Sequence, residues 1–114
     1  MLNNNQYNNL IKAIELATHE LTGHYVVDNK PACVIGQLAF IEGTSVEELI
    51  KWDIGNGEDT TIDIYHKESS LKEYPRALLR RLQKMWDDSG TPPDKIKHAM
   101  KVSVDAWYFP NPID

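Results

Sequence analysis

Cysteine is almost missing from this 114-residue chain: Cys33 stands alone, so no internal disulfide can form. A lone thiol fits a reducing compartment and points to the cytoplasm. Long apolar runs are missing too. None approaches the roughly 18 residues that a membrane span needs, and the Met1–Asn5 start lacks the basic, apolar layout of a signal peptide. Arginine is absent from residues 1–58, where Lys12, Lys30 and Lys51 face eight carboxylates, a local balance of −5. Residues 59–114 hold nine basic and nine acidic side chains and balance to zero. Phosphate neutralisation supplies much of the affinity of nucleic-acid binders, so an acidic half argues against that role for its motifs. No CxxC, HxxxH or other clustered ligand spacing occurs, which leaves neither a metal site nor a cofactor to expect.

What is present is an ordinary one-domain composition, 41% hydrophobic and 25% charged. At this length roughly 65% of the unfolded surface can be buried. Asn3-Asn4-Asn5 offers a cap for a first helix reaching about Leu21, with Tyr7, Leu10, Ile14 and Ala17 at helical spacing and Gly23 as its stop. The stretch "HYVVDNKP" reads as a short extended arm or small hairpin turning at Asp28-Asn29. Pro31 is placed as the opening residue of a second helix that stops at Gly43. Ser45 and Glu48 form a capping box for a short third helix ending near Asp53.

Further on, "TTIDIY" (60–65) alternates and is a candidate strand partner for "YVV". Pro75 opens a fourth helix with the stripe Leu78, Leu79, Leu82, Met85 and Trp86, closed at Gly90. Pro93 opens a fifth, with Ile96, Met100, Val104 and Trp107 on one face. The expected fold is mostly α: one compact domain over 1–108, about five helices, at most a two-stranded β arm, and an extended tail over 109–114.

Leu38-Ala39, Gly43 and Ser45, followed by Leu49 and Trp52, resemble the helix-turn-helix segment of bacterial and phage repressors. The match spans residues 37–57 and departs at Glu42 and Thr44, where that family carries apolar residues. The resemblance implies that Ser45, Val46, Glu47, Ile50, Lys51 and Ile54 face base edges. Base reading uses Arg, Lys, Asn and Gln, whereas these six include three aliphatics, a carboxylate and one lysine. The wider pattern "YVVDNKPACVIGQLAF" with "LLRRLQKMWDD" resembles small, mostly helical proteins of phages and actinobacteria whose role is unassigned. That resemblance implies an accessory protein that works by binding a macromolecule.

Cys33 near a helix start, with His19 and His24 upstream, is the only arrangement that suggests a thiol enzyme or small-ligand site; a lone cysteine in "ACVIG" reads more simply as core. Lys72, Arg76, Arg80 and Lys84 recur every four residues as a basic ridge, a surface for an acidic partner or merely a solvated face. Asp53, Asn56, Glu58 and Asp59 do not reproduce a calcium loop. Tyr108 and Phe109 either fold back or anchor a partner.

The leading expectation is a non-enzymatic protein-binding protein, phage-encoded and acting as an accessory or inhibitor in the host cytoplasm. Val46, Glu47, Ile50, Ile54, Glu42, Tyr108 and Phe109 are its candidate contacts. The partner's identity and the oligomeric state, a homodimer included, stay open. The alternative is a helix-turn-helix transcriptional regulator, and a Cys-dependent enzyme or small-ligand binder comes third.

Overall fold

The computed structural model describes residues 2–17, 25–55, 70–87 and 93–109. Among these residues the architecture is mostly α, five helices with one small antiparallel hairpin. Helix α1 spans Asn4–Leu16 and is opened by a reciprocal cap: the Asn3 side chain accepts from the Gln6 amide at 2.8 Å, and the Gln6 side chain accepts from the Asn3 amide at 3.0 Å. These two bonds satisfy donors that a helix start otherwise leaves unpaired. The helix buries Leu10, Ala13 and Ile14 and ends well before Leu21, with Ala17 turning out at ψ 138°. Its end is met by a distant residue: the Gln37 side-chain Nε2 donates to the Leu16 carbonyl at 3.2 Å and to the Pro31 carbonyl at 2.9 Å. The expected stop at Gly23 lies outside the described residues.

Strands β1 (Val26–Val27) and β2 (Lys30–Pro31) pair as Val26 with Pro31 and Val27 with Lys30. Asp28 and Asn29 carry φ of 52° and 62°, the pair of left-handed residues that matches a tight turn to strand twist. Both residue types tolerate that region better than most. The hairpin expected within "HYVVDNKP" is present and turns at Asp28-Asn29, while one expectation is corrected here. Pro31 belongs to a strand, and the second helix starts three residues later. The candidate strand 60–65 lies outside the described residues.

Helix α2 (Val34–Ile41) carries no charge and buries Val34, Ile35, Gly36, Leu38 and Ala39. Its cap is Cys33, whose Sγ accepts from the Gly36 amide at 3.4 Å. Gly43, at φ 105°, ends it: the Gly43 and Thr44 amides donate back to Phe40 and Ala39 at 3.1 and 2.8 Å, a double closure that satisfies the last carbonyls. Helix α3 (Val46–Gly55) follows, capped by Ser45 Oγ accepting from the Glu48 amide at 3.2 Å.

Helix α4 (Arg76–Asp87) buries the expected Leu78, Leu79, Leu82 and Trp86. The Pro75 carbonyl takes the Leu79 amide at 3.1 Å, which puts Pro75 one position before the helix rather than inside it. Helix α5 (Pro93–Tyr108) starts at the expected proline and sinks Met100 and Val104 completely. The stop expected at Gly90 and the tail beyond Phe109 lie outside the described residues.

Helices α1, α2, α4 and α5 close into a ring, each packing on the next, with α5 returning to α1. The hairpin lies on α2, and α3 packs against the hairpin. Tyr25 joins these pieces. Its carbonyl accepts from the Ala32 backbone amide at 2.9 Å, its ring meets Trp52 of α3 edge-on at 5.8 Å, and its hydroxyl accepts from the Gln83 side-chain Nε2 of α4 at 2.7 Å. The approach requires glycine at position 36, because a Cβ there would sit 2.1 Å from the Tyr25 carbonyl oxygen.

Gly36→Ala tests that approach, because two effects oppose each other. Helix propensity alone favours alanine by about 1 kcal/mol, whereas overpacking costs roughly 1–3 kcal/mol or more. A backbone atom cannot swing aside as a side chain can, so we expect net destabilisation of about 2 kcal/mol in urea unfolding. A neutral or stabilising result would contradict this packing.

Candidate docking surfaces

The two residues that break the helix-turn-helix pattern are the two that tie down the α2–α3 corner. Glu42 is half-buried, and its carboxylate accepts from the Tyr74 hydroxyl and, at 3.4 Å, from the Asn9 amide. The Thr44 and Ser70 hydroxyls hydrogen-bond at 2.7 Å. The turn 70–74 thus clasps the corner from outside α2 and α3. Burial first, and then the bond to Glu42, raise the Tyr74 hydroxyl well above the ordinary tyrosine range. Glu42 was expected as an outward contact for a partner. It is turned instead into this clasp, because a half-buried carboxylate needs donors and Tyr74 and Asn9 supply them.

The helix after the corner divides cleanly. Leu49 and Trp52 face inward, Val46 and Ile50 are half-buried along the flank, and Glu47, Glu48 and Lys51 are exposed. The Glu48 carboxylate does not reach back to close the expected capping box; it pairs with Lys51 at 3.5 Å. The side chain of Ile54 lies outside the described residues.

Tyr108 and Phe109 come together at a second surface, joined by Tyr7, which the sequence marked only as part of the first helix's stripe. The Tyr108 ring stacks on Tyr7 of α1 at 4.2 Å, and Phe109 stands edge-on to Tyr7 and Tyr108 at 5.9 and 4.6 Å. Tyr7 donates to Asp105 at 2.7 Å, and Tyr108 donates to the Asn4 side chain. The bond to Asp105, ahead of burial, raises the Tyr7 hydroxyl from its usual value. Tyr108 has therefore folded back, whereas Phe109 remains 60% exposed at the rim. Phe40 and Val102 are also exposed apolar residues that sequence periodicity left unmarked.

No protein-family model, curated relative or solved structure matches this chain. Function must accordingly be read from the surfaces themselves.

Lys72, Arg76, Arg80 and Lys84 are all exposed, with Lys72 in the turn before α4 and the other three on the helix. Arg81 leans across to Ser103 of α5 at 3.3 Å. Cys33 is buried and occupied as a cap; the histidines proposed beside it, His19 and His24, lie outside the described residues. Among the described residues no group of three or more His, Cys, Asp or Glu could hold a metal. Nor is any helix there long and apolar enough to cross a membrane.

Two outcomes follow. Both tyrosines are raised when folded, so their contribution is complete below about pH 10, the unfolded tyrosine value, and is lost as pH climbs through the folded values. Stability should be flat with respect to these groups to pH 10 and fall above it. Tyr74→Phe should cost about 1–2 kcal/mol at pH 7 and lessen the alkaline fall; an unchanged alkaline slope would contradict the clasp. Cys33→Ala should cost about 1–2 kcal/mol through the lost cap and sulfur packing. The native thiol should label slowly with a maleimide, and fast labelling at neutral pH would contradict its burial.

Proposed function

We propose that this is a non-enzymatic binding protein that docks onto another protein through the outer face of α3, with Val46, Glu47 and Ile50 as its contacts. One observation carries the choice over DNA reading: on the described part of that face two exposed carboxylates, Glu47 and Glu48, stand against one lysine, Lys51. A recognition helix meets a polyanion and needs cations and amides directed outward. Here two exposed glutamates flank the helix start and the nearby cation is partly neutralised. The half-buried Val46 and Ile50 stand to gain from an apolar partner surface, which is where interface energy concentrates. Phe109, braced by two tyrosines, offers a second anchor at low entropic cost. The accessory role in a phage-infected or host cell belongs to the same proposal and rests on the sequence resemblance alone.

The repressor-like reading has one specific observation in its favour, the glycine corner followed by the Ser45 cap. That geometry sets how two helices join, and any protein needing a tight corner can use it.

Ile50→Asp separates the readings. It should leave far-UV circular dichroism unchanged and abolish capture of a protein partner from lysate of the source cell, as should Val46→Asp. Fluorescence anisotropy with random duplex DNA at low salt, where electrostatic binding is strongest, should give no binding tighter than about 10 μM. Salt-sensitive DNA binding lost in Lys51→Glu would overturn the proposal.

A further inference from the structure

Three aromatic rings and a carboxylate meet where the start of α1 lies beside the end of α5. The Tyr108 ring centre is 4.2 Å from that of Tyr7 and 4.6 Å from that of Phe109, which are themselves 5.9 Å apart. Seen from Tyr108, the other two rings therefore lie about a right angle apart. Tyr7 covers one face of Tyr108, with the planes 23° from parallel, whereas Phe109 stands across its edge with the planes at 76°. At 4.6 Å two perpendicular rings cannot meet rim to rim, so the Tyr108 rim points at the Phe109 face. The second face of Tyr108 and the face of Phe109 are thus two walls of one corner. Among the described residues neither ring makes a further ring contact, and Phe109 is largely exposed.

The polar groups beside the corner are committed in a way that leaves a negative charge. Both phenol hydroxyls are spent as donors, Tyr7 on Asp105 at 2.7 Å and Tyr108 on the Asn4 side chain. Asp105, one turn before Phe109, has no ion-pair partner among the described residues. Lys101, a further turn back, reaches Glu15 of α1 at 3.3 Å instead.

We propose that this corner binds a quaternary ammonium group. Ring faces carry the negative side of the aromatic quadrupole, and with a carboxylate beside them they select a cation. A primary ammonium brings three N–H donors and a guanidinium five, and the corner offers faces rather than acceptors to receive them. A quaternary ammonium spreads its charge over methyl groups, has no N–H to satisfy and packs against both walls at once. Two walls make a half-open site, so the affinity is modest, with Kd on the order of 1 mM. This binding does not depend on docking through α3, and either can fail without the other.

Choline and acetyl-trimethyllysine amide are the probes, titrated into the whole chain at constant ionic strength and followed by the ring-proton NMR signals of Tyr108 and Phe109. Both should give saturable shifts, and the tighter of the two assigns the site to a free small molecule or to a modified protein side chain. The uncharged carbon analogue of choline, neohexyl alcohol, should give none. Phe109→Leu removes one wall and should weaken choline binding roughly fivefold or more. Asp105→Asn keeps an oxygen to accept from Tyr7 but removes the charge, and should weaken it roughly threefold. Far-UV circular dichroism should be unchanged in both variants, since one site is exposed and the other change keeps its shape. The absence of a saturable shift up to about 100 mM choline overturns the proposal. So does equal binding of the alcohol, or choline binding that neither variant weakens.

Discussion

The contact between the Tyr25 carbonyl and Gly36 decides where everything outside the helical ring can lie. Helix α2 is buried on nearly every side, so a chain segment laid across it must come within backbone distance, and only glycine at position 36 leaves room. Once the hairpin is seated there, the Tyr25 ring and hydroxyl are fixed, and they hold Trp52 of α3 and Gln83 of α4. Gln37, one residue after the glycine, ties β2 and the end of α1 to the same helix. Three helices, α1, α3 and α4, are thus tied to two adjacent residues of α2.

The α2–α3 corner follows from the needs of two helix ends. A glycine turn and a capped second helix are solutions to unpaired backbone groups at helix ends, and they carry no instruction about DNA. Glu42 and Thr44, the departures from the repressor pattern, answer to Tyr74 and Ser70 instead. A hydroxyl donor on Glu42 and a hydroxyl pair at Thr44 bind the corner to the turn before α4. The outward side of α3 is left with carboxylates, one paired lysine and an aliphatic flank. The proposed docking reading rests on that combination, which offers an apolar flank within a polar rim.

Local rules in the sequence account for much of the fold. The leucine stripe of α4, the Met100–Val104 stripe of α5, the Asn3 cap, the Gly43 stop and the Ser45 cap all depend on residues a few positions apart, and they lie where the spacing puts them. Long-range partners account for the differences. The end of α1 is met by Gln37, 21 residues away. Pro31 satisfies a strand and a helix start equally well until the Asp28-Asn29 turn closes the hairpin. Gly36 reads as a weak spot within a helix unless the approach of Tyr25 is known. The sites follow the same division: Phe109 could be flagged from its own chemistry, but Tyr7, 98 residues from Asp105, becomes part of that edge only when α1 and α5 lie antiparallel.

Native-state hydrogen exchange tests the primacy of the Tyr25–Gly36 seat most directly. The Ala32 amide donates to the Tyr25 carbonyl, so it reports whether the hairpin is seated on α2. If the seat is integral to the core, Ala32 should exchange only through global unfolding, with the same free energy and denaturant dependence as the Ala39 and Leu82 amides. Exchange of Ala32 through a low-energy local opening, while those helix amides stay protected, would show that the hairpin is an appendage and contradict the account.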